Sequence, residues 1–597
     1  MKHFSLFIQS IRYSLQLVYR SSKLTILLYF VLDLISTTFP LVLSFVLKYL
    51  LDVLTAEKTD MTVVVFCVGV YVVILVTSQI LNSLKEVTYD SVFKKAEHLY
   101  DCDLSSKLAK LPMSFIDTSE GKDVVDEVRY TKNAAVYLTY RMVRILSLLY
   151  AFGVAFGTLI TFNVWFSLLF LVLTVPGIIL DIIFSQKSME LRQRTAPDVR
   201  KFCYYRWMLT DGWPAKDVRM YDLTEQIKTR YDSEKKEYIK ENKNLDIKEL
   251  IAALLTELII RCGEIAFTVF IVLQALAGEI SVGDVTLYIG LAISASSAFQ
   301  TMITIFLVEY IETTEMMDKV FLFMGIQCQD EYEGKRNLEE FESLTFNDVY
   351  FKYPLTDKYV LSGVSFTLNQ GDKLSIIGVN GSGKSTIIKL MLGLYEIDSG
   401  EILINGYPIS DYNIMDVRKL YSALFQDFVQ YPLTLRENIA LSDYENANND
   451  VEIVKALKQS GVYDELQIRL EKGFDSYMTR QFDNNGIELS KGQWQKVALS
   501  RVYFKNAPII IFDEPSAALD AEAEDQIFKN FEEISEKKTG IMISHRISAA
   551  RMANKVIVLD RGVIVEQGTH DELVNLDGLY AKLYNLQKEK YAVKEVE

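Results

Sequence analysis

The sequence predicts a two-part chain: an all-α domain of six membrane-crossing helices, followed by a soluble α/β domain. Three observations carry that prediction. The first half holds six apolar segments, each of the ~20 residues that a bilayer crossing needs. From about residue 341 the pattern changes to short β-rich runs, glycine turns and amphipathic helices. In that second part Gly378-Val379-Asn380-Gly381-Ser382-Gly383-Lys384-Ser385-Thr386 fits G-x-x-x-x-G-K-[ST], between the apolar run Leu374–Ile377 and the helical run Ile387–Leu392.

Bulk composition agrees with a membrane part joined to a soluble one. Hydrophobic residues make up 50% of the 597 residues and charged residues 24%. The first figure is high for a soluble enzyme, the second high for a purely membrane protein. The net charge of −15 argues against nucleic acid as a partner, which would call for basic patches. The five cysteines (67, 102, 203, 262 and 328) show no C-x-x-C or metal spacing and read as reduced thiols.

Residues 1–20 carry Phe4, Phe7, Ile8, Ile11, Leu15 and Val18 among Arg12 and Arg20. That pattern suits an amphipathic helix lying on the membrane surface, and a frayed terminus is the simpler alternative. A membrane domain over 21–320 follows, with spans at about 24–46, 61–81, 143–162, 165–184, 250–277 and 283–308. The short connections 47–60, 163–164 and 278–282 carry few Lys or Arg residues. The long segments 82–142 and 185–249 are rich in them. The positive-inside rule therefore assigns both long segments and both termini to the cytoplasm, in a multi-pass protein of the cell membrane. Each long segment reverses at a short loop, one at Asp117–Lys122 and the other at Asp211–Ala215. These loops read either as docking points for the soluble domain or as plain helix–helix turns.

Ionisable residues within a span are costly, so they are candidates for function. In the fifth span Glu257, Arg261 and Glu264 share one helical face. They read equally well as the lining of a substrate cavity and as an internally paired stripe. Asp33 and Asp181 read as residues near span ends or snorkelling to the interface. The small residues Ala292–Ala298 suit close helix packing. Residues 321–340 read as a charged linker, 341–590 as the soluble domain and 591–597 as a charged tail.

The glycine-rich stretch is suited to polyphosphate. Glycines at 378, 381 and 383 let backbone approach closely, and amides from Gly381 to Thr386 open a helix whose dipole favours anions. Lys384 supplies a compact charge between the β- and γ-phosphates, and Ser385 a hydroxyl to Mg²⁺. The apolar run Ile509–Phe512 ends in Asp513 and Glu514. Asp513 is placed to hold Mg²⁺, and Glu514 to orient the water that attacks the γ-phosphate.

Further motifs lie around these in order. Leu489-Ser490-Lys491-Gly492-Gln493 resembles the LSGGQ signature of ABC ATPases, and Gln426 in Leu424–Asp427 resembles their Q-loop. Glu514–Asp520 is similar to the run into the D-loop, His545 to the switch histidine and Tyr353 to the aromatic that stacks on adenine. Six spans before one such domain resemble the ABC exporter half-transporter of the type I fold, over nearly the whole chain. The resemblance implies an ATPase with ATP and Mg²⁺ as ligands. Glu514 and His545 would be catalytic, and Ser385, Gln426 and Asp513 would face the metal. Tyr353, Gly378, Asn380–Thr386, Gln426, Ser490, Gly492 and Gln493 would hold ATP, with Asp520 in the D-loop. It also implies a second half-transporter, since each ATP would lie between one chain's phosphate loop and the other's signature. A homodimer, with two competent sites, is the first expectation and a heterodimer the other. Lys491 departs from the usual glycine and is expected to tune rate. Ala517 replaces the usual serine, and Asp483–Gly486 is an imperfect acidic flank.

Around Leu424–Tyr431, Gly492–Lys496 and Asp513–Asp520 the sequence looks most like exporters of lantibiotic and related bacterial peptides. The first span begins near residue 24, which leaves no room for the N-terminal cysteine peptidase that many such exporters carry. The expectation is ATP-driven export across the bacterial cytoplasmic membrane by alternating access, of a peptide or an amphipathic small molecule. The alternatives are a multidrug or lipid exporter, or an ATP-gated membrane protein that does not pump.

Overall fold

The computed structural model describes residues 2–592, apart from 57–59, 329–333, 335, 339, 516–527, 530, 533–537 and 545–549. The chain forms two compact units. One comprises Met1–Leu108 and Asp123–Ile326, and the other Ala109–Lys122 and Gln327–Glu597.

The first unit is helical. Helix α1 (Lys2–Ser21) buries Phe7, Leu17 and Val18 together with Ser10 and Ser14, and leaves Phe4, Ile8, Leu15 and Tyr19 exposed. The long helices are α2 (Lys23–Thr55), α3 (Met61–Leu108), α6 (Lys132–Phe162), α7 (Val164–Thr210), α9 (Thr224–Leu276) and α10 (Val282–Gly325). Among the described residues six helices are long and apolar enough to cross a membrane. At ~1.5 Å per residue, the 48 residues of α3 reach ~70 Å, over twice the ~30 Å hydrocarbon layer. The polar half of such a helix must therefore lie in water. The apolar half of α3 presents Val65, Phe66, Val72 and Val73 outward, as lipid-facing side chains would be.

Two expectations are corrected here. Asp33 does not snorkel: it is fully buried in α2, with Arg144 Nη1 of α6 at 2.9 Å and Lys85 Nζ of α3 at 3.3 Å from its Oδ1. Its partners lie 52 and 111 residues away, beyond the reach of helical periodicity. Asp181 of α7 likewise turns inward and accepts a hydrogen bond from Thr304 Oγ1 of α10 at 2.7 Å. A second fully buried carboxylate, Glu309, meets Arg141 and accepts a hydrogen bond from Thr313 Oγ1 at 2.8 Å. In a solvent-poor interior each of these carboxylates needs such a partner.

The second unit is α/β. A four-stranded antiparallel sheet has the order β2 (Leu361–Asn369), β1 (Ser343–Phe351), β4 (Ser399–Ile404), β5 (Tyr407–Pro408). A six-stranded sheet has the order β10 (Val563–Gly568), β9 (Lys555–Asp560), β3 (Lys373–Gly378), β8 (Thr539–Ile543), β7 (Ile509–Asp513), β6 (Tyr421–Leu424). All its pairings are parallel except β9 with β10. The parallel strands are buried runs such as Ile509–Asp513, as a sheet covered on both faces requires. Helix α10 continues to Gly325, and by Arg336 the chain already packs on this unit, with Arg336 N donating to Asp411 O.

This unit also includes the first reversal loop, where α4 (Met113–Ile116) turns into α5 (Ser119–Tyr130). The turn is fixed locally. Thr118 Oγ1 donates to Phe115 O at 2.7 Å and accepts from Gly121 N at 2.9 Å. A Cβ at position 121 would lie 2.0 Å from Phe115 O, so only glycine fits. The second reversal, in the helical unit, leads into α8 (Ala215–Met220), with Trp213 standing exposed beside Trp207.

Candidate functional site

Because β6, β7, β8 and β3 run parallel, their carboxyl ends share one edge, where ligands of open α/β sheets bind. The phosphate loop follows β3, Asp513 ends β7 with Glu514 just after it, and Gln426 follows β6. Residues far apart in sequence are therefore neighbours at one rim. A cleft of about 400 Å³ opens there, lined by Tyr353, Val360, Asn380, Gly381, Gly383, Lys384, Ser385, Thr386, Gln426 and Glu514. Its size falls in the range of small-molecule sites.

The loop's shape is dictated by two glycines. Gly383 caps α11 (Lys384–Met391) with φ +104°, which side-chain-bearing residues avoid. At Gly378 a Cβ would come 2.2 Å from Leu559 O. Ser382 is buried behind the loop, so only its backbone amide could face a ligand there. Lys384 Nζ donates to Gly378 O at 3.0 Å and Val379 O at 3.1 Å, which holds the ammonium inside the loop. Burial lowers its pKa, and the nearby carboxylates of Glu514 and Asp513 act in the opposite direction.

Asp513 is 5% exposed, and its Oδ1 is buried with no hydrogen-bond partner. Burial raises its pKa, against the lowering effect of the Ser385 hydroxyl, while the charge of Glu514 raises it further. An orphaned carboxylate oxygen beside a serine hydroxyl is the donor set of a hard divalent cation such as Mg²⁺, and it fits. Among the described residues no group of three or more His, Cys, Asp or Glu side chains could hold a metal. Such an ion would thus take its remaining ligands from water and phosphate, as Mg²⁺ commonly does. Glu514 adopts φ +51°, a strained conformation for a side-chain-bearing residue. Its amide donates to Ile543 O at 2.9 Å, and its Oε2 accepts from Gln426 Nε2 at 2.7 Å. The two side chains named for water activation and metal contact are in direct contact. His545 and Asp520 lie outside the described residues.

At the other end of the cleft Tyr353 follows β1. Its hydroxyl is 3.1 Å from Thr386 Oγ1, and Lys389 Nζ donates to it at 3.4 Å. Edge-to-face contacts join its ring to Phe351 and Tyr395. Tyr395 and Lys389 carried no motif signal. An aromatic one turn past the phosphate helix was the only hint available.

The signature residues stand elsewhere in this unit. Ser490 caps the helix Lys491–Lys505 in a capping box, with Ser490 Oγ accepting from Gln493 N at 3.2 Å and Ser490 N donating to Gln493 Oε1 at 3.1 Å. Gln493 Nε2 donates to Glu465 Oε2 at 3.0 Å. The side chain of Gln493 is thereby committed to holding Ser490, while Gly492 lies in the first turn. Ser490, Gly492 and Gln493 are not among the residues lining the cleft.

In the helical unit Arg261 Nε is 2.8 Å from Glu257 Oε1 and its Nη1 is 2.7 Å from Glu264 Oε2. The stripe is internally paired. It is also exposed at Glu257 and Arg261 and nearly buried at Glu264, so both earlier readings of it keep a part.

The model of the ABC transporter transmembrane region matches residues 26–299, and the ABC transporter model matches 361–517. The subtilin transport ATP-binding protein of Bacillus subtilis is 29% identical over 566 residues, 92% of this chain and 90% of its own length. An ATP-dependent lipid A-core flippase of Photobacterium profundum is 26% identical over 494 residues, 81% of each chain. A bacterial Atm1-family ABC exporter solved with ATP bound matches at a TM-score of 0.80 and 22% identity. It covers 95% of this chain and 98% of the exporter, and shows the likeness of fold.

Proposed function

We propose that the chain is an ATP-hydrolysing half of an ABC exporter and that its cargo is a peptide of the lantibiotic kind, carried out through the cytoplasmic membrane. One observation carries the cargo reading: likeness to a subtilin transporter extends over 92% of this chain. It therefore includes the membrane helices that would form a cargo cavity. A lipid cargo is the second reading, favoured by a flippase at nearly the same identity.

In the proposed mechanism Lys384 and the amides of Gly381–Thr386 hold the β- and γ-phosphates, and Tyr353 stacks on adenine. Ser385, Asp513 and Gln426 would hold Mg²⁺, which supplies charge neutralisation at the phosphates when bound. Glu514 orients the attacking water and takes its proton, with His545 assigned to the γ-phosphate. Gln426, bonded to Glu514 in this structure, would release that carboxylate as it turns to phosphate and metal. Ser490 and Gly492 would reach a γ-phosphate held by a second half-transporter, most simply another copy, with Gln493 fixing Ser490 and Asp520 lying along the same contact. Closure on two ATP molecules and release after hydrolysis would switch the helices between inward and outward access, with both termini and the ATPase in the cytoplasm.

Two measurements test this. Glu514→Gln is expected to lower turnover by at least ~100-fold while ATP stays bound, and unaltered turnover would refute the assignment. For cargo, ATPase activity of the reconstituted chain is measured with a cationic lanthionine peptide, with lipid A and with a hydrophobic drug. Stimulation by the peptide alone supports the reading, and stimulation by lipid or drug alone overturns it.

A further inference from the structure

Tyr395 lies just beyond the phosphate helix and is 6% exposed, on a core that includes Phe351 and Met113 of the first reversal loop. Its ring meets Tyr353 edge-on, with centroids 5.4 Å apart and planes at 88°, and meets Phe351 at 5.6 Å. Its hydroxyl donates to Asp117 Oδ2, at the end of the turn Met113–Ile116. Lys389 Nζ stands over both tyrosine rings, 5.4 Å from Tyr353 and 5.9 Å from Tyr395. Burial and the neighbouring Asp117 both raise the pKa of the Tyr395 phenol, so it stays a donor at neutral pH.

These contacts form a short chain: turn, Asp117, Tyr395, Tyr353, cleft. Tyr353 is anchored at its hydroxyl by Thr386 and Lys389, and those bonds leave rotation of the ring about its long axis open. The perpendicular contact with Tyr395 restricts that freedom together with Phe351's own perpendicular contact, since an edge-to-face pair has a preferred plane. The plane of Tyr353 decides whether a flat base can lie against it.

We propose that Tyr395 is a positioning residue for base recognition. Together with Phe351 it sets the plane of Tyr353, and it is itself tied by Asp117 to the turn between α3 and α5. The proposal rests on the ATPase reading above and adds a residue that touches neither phosphate nor base. It predicts that the base-dependent part of nucleotide binding, and not the phosphate-dependent part, responds to this side chain.

The test uses the full-length chain in lipid nanodiscs. Tyr395→Leu is expected to raise the KM for ATP by roughly 3–10-fold, the scale of one aromatic pair, with kcat within twofold. The inhibition constant of inorganic tripolyphosphate, which has no base, is expected to stay within twofold. Tyr395→Phe keeps the ring and is expected to restore most of the KM. Asp117→Asn is expected to raise it by about 2-fold, the scale of one weakened hydrogen bond. Parallel losses for ATP and tripolyphosphate would overturn the proposal, because they mark a general loosening of the domain. So would an unchanged KM in Tyr395→Leu. Failure of the ATPase reading would show instead as absent turnover in the unaltered chain.

Discussion

Asp33 in the helical unit and Asp513 in the α/β unit are both almost wholly buried carboxylates, and they are neutralised in opposite ways. Asp33 has its cations built in, with Arg144 and Lys85 on its Oδ1. Asp513 makes no ion pair among the described residues; each of the two keeps one oxygen without a hydrogen-bond partner, so the paired cations are what differ. The first arrangement is a finished structural joint between three helices. The second leaves a buried carboxylate without a cation, which costs stability, as groups proposed for function often do. Burial alone therefore does not tell a joint from a site; what completes the charge does.

The comparison is broken most directly at Asp33. Asp33→Ala leaves two cations uncompensated among α2, α3 and α6, and a loss of roughly 3–5 kcal/mol is expected. Thermal unfolding of the detergent-solubilised chain measures it. Nucleotide affinity of the surviving folded fraction is expected to be unchanged. If Asp33→Ala unfolds no more easily than the parent, the buried joint is not a joint.

Lys384→Ala probes the other side. A charge-assisted contact to phosphate is worth roughly 1.5–3 kcal/mol, so ATP affinity should fall by about 10- to 150-fold. Calorimetric titration of ATP reads this directly. Since burial depresses the Lys384 pKa, the protonated form is penalised in the fold, and removal should not lower the melting temperature.

The two carboxylates also differ in how visible they were. Asp513 was legible because phosphate chemistry imposes residue types at fixed places: glycines where Cβ atoms collide, a lysine and a hydroxyl at a helix start, acids at a strand end. The parallel sheet then brings those places to one edge. Asp33 was misread because a buried ion pair is a property of two helices, and its partners lie 52 and 111 residues away. The same blindness hid Arg141 with Glu309 and Tyr395 with Asp117. The visible membrane stripe Glu257–Arg261–Glu264 was legible because helical spacing alone links its members.

Asp513→Asn tests whether readiness costs stability. Folding raises the Asp513 pKa, so the unfolded chain holds its proton less tightly. Stability linked to this group is fully present below the unfolded value near 3.9 and is lost as pH rises through the folded value. Above the folded value the whole penalty applies, and Asn removes it. The nucleotide-free variant is expected to melt roughly 2–4 °C higher, about 1 kcal/mol for a domain of this size, with hydrolysis lost. A lower melting temperature in the nucleotide-free variant would mean that the carboxylate is already satisfied.

The smallest effect on stability is expected at Glu257, and it is the most informative about cargo. Its bond to Arg261 is solvent-screened in any aqueous cavity, and Arg261 keeps Glu264 as a second partner at 2.7 Å. Glu257→Gln should therefore leave the melting temperature unchanged, in contrast to Asp33→Ala. It does remove one negative charge from the exposed face of the stripe, making it more positive by one. If that face meets the cargo, stimulation of ATPase activity by a cationic peptide should need several-fold more peptide, and stimulation by an otherwise matched anionic peptide less. Equal shifts for both peptides would remove charge from the account of selectivity. No shift for either would make the stripe a second joint, like Asp33, merely placed where sequence can see it.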